Sequence, residues 1–329
     1  MIKRNLILGV LLSCLLGGVV YGQEAPASAQ DPFQLALVLK SAREYCRRLE
    51  RAALDFICVE EVSELVDLSR ESREAPVQHA PDLSTQGSGV SGGGGFAGHM
   101  SSSRPFSFNP RAGEKTAHAL LYDYQFVRKS GKVEETRTLL EKDGKKASAD
   151  TPVPGNRAFN YSDILLAPVQ LLDDRFSEYY SYRLLGRETI DGTETWILEV
   201  APRLTEVIRY LGAKLWLCAA DSSVLRIEWD PTTFGHYEAI LARAEGFKAV
   251  PEVRSVSEFG VEKNGLRFPS ADLTEEAYRD GEGKLFVRAR TSIVYKGHKF
   301  FTVETETNFK KDLPAAFRPI LIISTKNCA

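Results

Sequence analysis

Between Asp31 and Ala53 apolar residues return every three or four positions, at Leu35, Leu39, Ala42, Cys46, Leu49 and Ala53. That spacing marks one face of an amphipathic helix, with Lys40, Arg43, Arg47 and Arg51 off the stripe. Asp31 suits an N-cap and Pro32 the first helical position. At Phe56-Ile57-Cys58-Val59 the character becomes β-prone, and a strand is predicted to extend towards Val66. Leu120 to Leu140 alternates and turns at Ser130-Gly131, which predicts a hairpin. Asp163 to Leu172 reads as a short helix begun or interrupted at Pro168.

The most regular stretch runs from Tyr179 to Trp229. Tyr182 to Ile190 and Thr195 to Val200 flank Asp191-Gly192, a strong hairpin signal. On the second strand Trp196, Leu198 and Val200 share a face, while Ile197 and Glu199 point away. Lys214 to Cys218 and Val224 to Trp229 make the next hairpin, with Leu225, Ile227 and Trp229 alternating with Arg226 and Glu228. Pro231 to Val250 is less regular. Ser255 to Glu262 is predicted to turn at Asn264-Gly265 into Leu266 to Tyr278, with Pro269 marking an edge or bulge. Leu285 to Tyr295 is expected to pair with Lys299 to Phe309 across Lys296-Gly297-His298, and Ile320 to Ile323 to add a last short strand. Sequential hairpins give an antiparallel sheet, and one of about ten strands curls. The predicted fold is α+β and mostly β: one strongly curved antiparallel sheet, an unclosed barrel, with helices covering or filling its concave face.

Composition adds location. Met1-Ile2-Lys3-Arg4 and the apolar run Leu6 to Val20 describe a secretory signal peptide cleaved after Gly22. The run falls short of the about 20 residues a membrane helix needs. Leu11-Leu12-Ser13-Cys14 resembles a lipobox, so lipid anchoring through Cys14 is the alternative. The apolar run continues past Cys14, which favours plain cleavage. The expectation is an exported protein, periplasmic or secreted, with no integral membrane span. Residues 23–30 form a polar lead-in, and 31–329 a single domain interrupted by a flexible Gly/Ser-rich insertion at 69–115. Within that insertion Gly87-Ser88-Gly89-Val90-Ser91-Gly92 fits G-x-G-x-x-G, but without the flanking strand and helix that a nucleotide site requires. With 42 basic and 44 acidic residues the chain lacks the basic balance of a nucleic-acid binder.

The residues offer little chemistry. His79, His99, His118, His236 and His298 are scattered outside any metal-ligand spacing, and no G-x-S-x-G elbow occurs. Glu304 and Glu306 read as the solvated face of a strand. No enzyme activity and no cofactor are expected. Export permits disulfides, and Cys46 with Cys58 is the favoured pair, against the alternative of two small buried hydrophobes. Cys218 and Cys328 are unassigned.

Three motifs carry a family resemblance. The first is Pro168 with Leu171 and Leu172, after an amphipathic helix near the N-terminus. The second is Gly186, Ile190, Asp191, Gly192, Trp196, Leu198 and Pro202, and the third is Lys214-Leu215-Trp216 with Leu225-Arg226-Ile227-Glu228. Together they resemble the LolA-like lipoprotein-carrier superfamily over roughly residues 160–230. The resemblance implies an unclosed barrel that holds acyl chains, and hence a lipid or acylated protein as partner. Trp196, Leu198, Val200, Trp216, Leu225, Ile227 and Trp229 are then the expected cavity lining. The long insertion and the strands beyond residue 253 exceed a minimal carrier, and the family's gating arginine has no counterpart located here. The other reading is an envelope interaction or sensor domain with a filled interior and a protein partner.

Overall fold

The computed structural model describes residues 32–52, 55–72, 111–129, 132–148, 151, 164–203, 210–305 and 323–327. The expected leader, Cys14, the lead-in, the G-x-G-x-x-G stretch, Cys328 and the bulk of the 69–115 insertion lie outside them.

Helix α1 spans Pro32–Arg51 and buries Val38, Ala42, Tyr45, Cys46 and Leu49, close to the predicted stripe. Strand β1 (Asp55–Asp67) buries every second side chain and pairs antiparallel with β2 (Lys115–Lys129), which turns back as β3 (Lys132–Lys142). A two-residue strand, β4 (Lys145–Lys146), ends this side of the sheet. A short 3₁₀ turn leads into α2 (Ala167–Leu172), with proline at its start. Next come β5 (Tyr180–Ile190), β6 (Thr193–Pro202), β7 (Ala213–Cys218) and β8 (Val224–Trp229), as the alternation predicts. Asp191 and Gly192 take φ of 48° and 78°. That is the left-handed pair a two-residue hairpin turn requires, and it explains the Asp-Gly signal.

The next part departs from the sequence reading. The passage 231–250 contains a helix, α3 (Tyr237–Phe247), which ends on Lys248 in the left-handed region. β9 (Ala249–Glu258) does not turn into its neighbour at Asn264-Gly265. Those two residues instead close a separate ribbon, β10 (Val261–Lys263) with β11 (Leu266–Phe268), before β12 (Ala271–Asp280) returns to pair β9. Leu266 and Phe268 are buried in the main core, so the ribbon is spent on covering the sheet rather than extending it.

The expected hairpin across Lys296-Gly297-His298 is also replaced. Leu285–Thr305 is one strand of 21 residues, β13. Gly297 has φ of 66°, and the register with β1 slips there, from Val59↔Lys296 to Ile57↔Lys299. The glycine makes a bulge, not a reversal. β14 (Ile323–Asn327) pairs the far end of β13. The main sheet therefore runs β4-β3-β2-β1-β13-β12-β9-β8-β7-β6-β5, with β14 beside β13. It is antiparallel and unclosed, since β4 and β5 stand at opposite edges.

α1, α2 and the β10–β11 ribbon share one cluster with the inward side chains of the sheet, among them Phe56, Val62, Tyr122, Phe126, Leu198, Leu215, Ile227 and Ile293. The concave face is thus covered from within. α3 forms a second, smaller cluster with Tyr278 through Ile240 and Ala244. Burying one such side chain fully contributes about 1.5–3 kcal/mol, so this cover supplies much of the core.

Candidate functional site

The cover is fixed by a small set of polar contacts at its edges. Tyr45 Oη accepts from the backbone N–H of Arg267 on β11 at 3.0 Å, tying α1 to the ribbon. The Cys46 thiol donates to Pro168 O at 3.4 Å, and Arg43 Nε donates to Leu172 O at 3.3 Å, tying α1 to α2. Tyr182 Oη on β5 donates to Leu171 O at 3.0 Å. Arg175 bridges Asp173 and Glu50 at 2.8 and 2.6 Å. Beneath these contacts, Leu171, Leu172, Tyr45, Leu49 and Phe268 are at most 2% exposed.

Leu198, Val200 and Ile227, expected to line a cavity, lie in this packed core under the helices. Trp229 is half-buried against it, and its Nε1 donates to Ser257 Oγ at 3.0 Å. Leu225 is half-buried beside the slip in register between β7 and β8. Trp216 is set apart. It pairs in register with Ile197 and Arg226, on the side of the sheet opposite Leu198, and donates to Glu188 Oε2 at 2.8 Å. Arg226 stacks over its ring at 5.2 Å.

Cys46 and Cys58 are both buried free thiols, so the expected bridge is not formed. The reason is directional: Cys46 turns towards α2, whereas Cys58 on β1 stands in register with Tyr124 of β2. Burial pushes the Cys58 thiol up to about 12 and that of Cys46 higher still. Neither is poised as a nucleophile.

Polar groups also interrupt the concave wall. Ser257 Oγ donates to Asp272 Oδ2 at 2.5 Å, continuing the contact from Trp229. Burial raises the Asp272 carboxyl to about 6, against the Ser257 hydrogen bond, and the nearby Glu60 raises it further. Tyr295 lies between those two carboxylates, and burial carries its phenol well above the usual range. Towards α3, Arg243 reaches Glu276 at 2.9 Å, and Arg288 joins Glu276 to Glu71. Burial works against ionisation of Glu276, yet Arg288 and Arg243 hold its carboxyl below the ordinary range. These carboxylates have cationic or hydroxyl partners, an arrangement of structural ion pairs rather than of an acid and a base facing a cleft. Among the described residues no group of three or more His, Cys, Asp or Glu side chains could hold a metal ion.

An open groove of about 480 Å³ lies where the first turn of α1 meets the β5–β6 and β7–β8 turns. Gln34, Arg187, Thr193, Glu194, Trp196 and Cys218 line it, with Ala219 and Ala220. The Arg187 guanidinium sits 3.8 Å from the Trp196 ring centre, and its Nη1 contacts Glu194 at 2.6 Å. Of the expected lining only Trp196 is here. Strict alternation hides the partnership of Arg187 with Trp196, because a slip in register between Leu184 and Gly186 brings Arg187 opposite the ring.

Comparison with solved structures finds distant similarities. A DUF1329 family protein from Desulfovibrio piger is 12% identical, with 80% of this chain and 92% of that chain covered, at a TM-score of 0.36. An outer membrane lipoprotein-sorting protein domain from Vibrio parahaemolyticus is 11% identical over 80% and 91%, at 0.33. A LolA superfamily protein from Nitrosomonas europaea is 10% identical over 79% and 92%, at 0.29. No protein-family profile and no curated protein matches the sequence.

Proposed function

We propose that the chain is a non-catalytic binding protein of the bacterial envelope that takes an apolar ligand, a lipid or an acylated protein, against its concave sheet. One observation carries this reading: α1 and α2 lie on the apolar concave face without sharing a strand hydrogen bond with it. They are held by side-chain packing and by edge contacts that include those at Tyr45, Cys46, Arg43 and Tyr182. Such a cover can move aside while every strand pairing is kept, uncovering Leu198, Val200, Leu215 and Ile227 to an acyl chain. An acyl chain buried there contributes about 0.8 kcal/mol per methylene, which offsets the burial that the displaced helix side chains lose. Export to the periplasm is part of the proposal and rests on the leader-like N-terminus.

Native mass spectrometry and lipid extraction of protein purified gently from the envelope test it. The expected result is recovery of an acyl species that rebinds to stripped protein. Recovery of none, with a fluorescent apolar probe also failing to bind, overturns it.

The fully buried Tyr45, Phe56, Phe126, Phe268, Leu171 and Leu172 favour a second reading. In it the interior stays packed and the domain engages an envelope protein through its outer surface. Copurification of one protein partner, with no lipid, would select that reading.

A further inference from the structure

We infer that the groove beside Trp196 is the entry point for a fatty acyl chain carrying an anionic head group, with Arg187 as the head-group contact. This rests on the apolar-ligand reading and names where the ligand enters and which end it presents. Trp196 joins the two environments: its half-buried ring packs on the main core and also forms the groove wall. A chain passing it leaves the rim and meets the cluster that contains Leu198 and Leu217. Cys218, Ala219 and Ala220 keep that side narrow-walled and poor in side-chain hydrogen-bonding groups. A volume of about 480 Å³ lies within the range of small-ligand sites.

Charge sets the orientation. Arg187 is the one cation among the residues lining the groove, and half of its side chain is exposed. One nitrogen contacts Glu194, which leaves further N–H donors of the guanidinium for a carboxylate or phosphate. Its guanidinium already sits over the Trp196 ring, so the donors are held at the boundary between apolar wall and water. An anionic head would compete with Glu194 for Arg187. That competition gives opposite signs for two neighbouring substitutions.

The three tryptophans supply the test, because they occupy three places: Trp196 in the groove, Trp229 on the core floor and Trp216 on the other side of the sheet. Full-length protein, stripped of lipid, is titrated with a dibrominated stearate, whose bromines quench indole fluorescence on contact. Saturable quenching is expected in the wild type and in Trp216→Phe, with the greater part lost in Trp196→Phe. Arg187→Gln should weaken binding about tenfold, the loss of one charge-assisted contact, and Glu194→Gln should tighten it several-fold. Quenching that survives Trp196→Phe unchanged, or equal affinities in Arg187→Gln, Glu194→Gln and wild type, overturns the inference. If quenching comes from Trp229 alone, the carrier reading stands and the groove is not its entrance. Absence of quenching together with absence of extracted lipid removes both.

Discussion

Arg137 on β3 reaches across β2 to Glu60 on β1, with Nε 2.8 Å from Oε2 and 3.1 Å from Oε1. Glu60 is fully buried, and Arg137 also stacks on Tyr124 at 4.7 Å. A pair like this adds little over an apolar equivalent, yet removing one member strands a charge. Arg137→Met is expected to lower unfolding free energy by about 3–5 kcal/mol, and Arg137→Met with Glu60→Gln to recover most of it. Urea midpoints of the four proteins of the cycle check this. A single variant as stable as wild type would show that the pair is not desolvated.

Asp272 gives a pH signature of definite sign. Its folded carboxyl titrates at about 6 against an unfolded value near 3.8. The native state therefore holds the proton more tightly, so this group's contribution is full below the unfolded value and is lost as pH rises through about 6. Asp67, Asp173 and Glu276 are shifted the other way, and their contribution is present at neutral pH and lost on acidification. Comparing wild type with Asp272→Asn isolates the first effect. The variant should gain on wild type by on the order of 2 kcal/mol between pH 4 and 7, read as the difference between their unfolding curves. A pH-independent difference would contradict the buried, uncharged carboxyl.

The thiols make a kinetic prediction. Cys46, Cys58 and Cys218 are buried, so an aromatic disulfide reagent should label them slowly in native buffer and rapidly in denaturant. Reductant should leave thermal stability unchanged. A loss of stability on reduction would mean that a bridge forms in solution.

Tyr45→Phe removes the hydroxyl that holds α1 to the ribbon and keeps the ring. A loss of about 1 kcal/mol is expected, with an increase in uptake of an apolar fluorescent probe. Unchanged uptake at reduced stability would favour the permanently packed interior.

Much of the architecture was legible in the residues because it depends on local rules. The α1 stripe, the Asp191-Gly192 turn and the alternation on β6 each fix an element within a few positions. What escaped depends on distant partners. Lys296-Gly297-His298 looks like a turn, and pairing with β1 on both sides of it, at Lys296 and at Lys299, keeps β13 running through. Asn264-Gly265 does make a turn, but the strands it joins are drawn onto the core with α1. Trp216 shares a hairpin with Ile227 yet faces the opposite way, because it alternates with the buried Leu215 and Leu217, and it is Leu215 that stands in register with Ile227. The groove is hidden for a similar reason, since its walls come from α1, β5, β6 and β7.

The position of β13 has a consequence for how the chain is made. Strands β4 to β1 come from the first half of the sequence and β5 to β12 from the middle, and they meet only through β13, residues 285–305. Until a ribosome has passed that stretch, the nascent chain holds two sheet fragments with facing open edges, at β1 and β12. Completion must await synthesis of residues 285–305, and long-range closure of this kind is slow. A product stopping before residue 285 would carry both sticky edges unsealed, whereas one reaching residue 305 could zip them together.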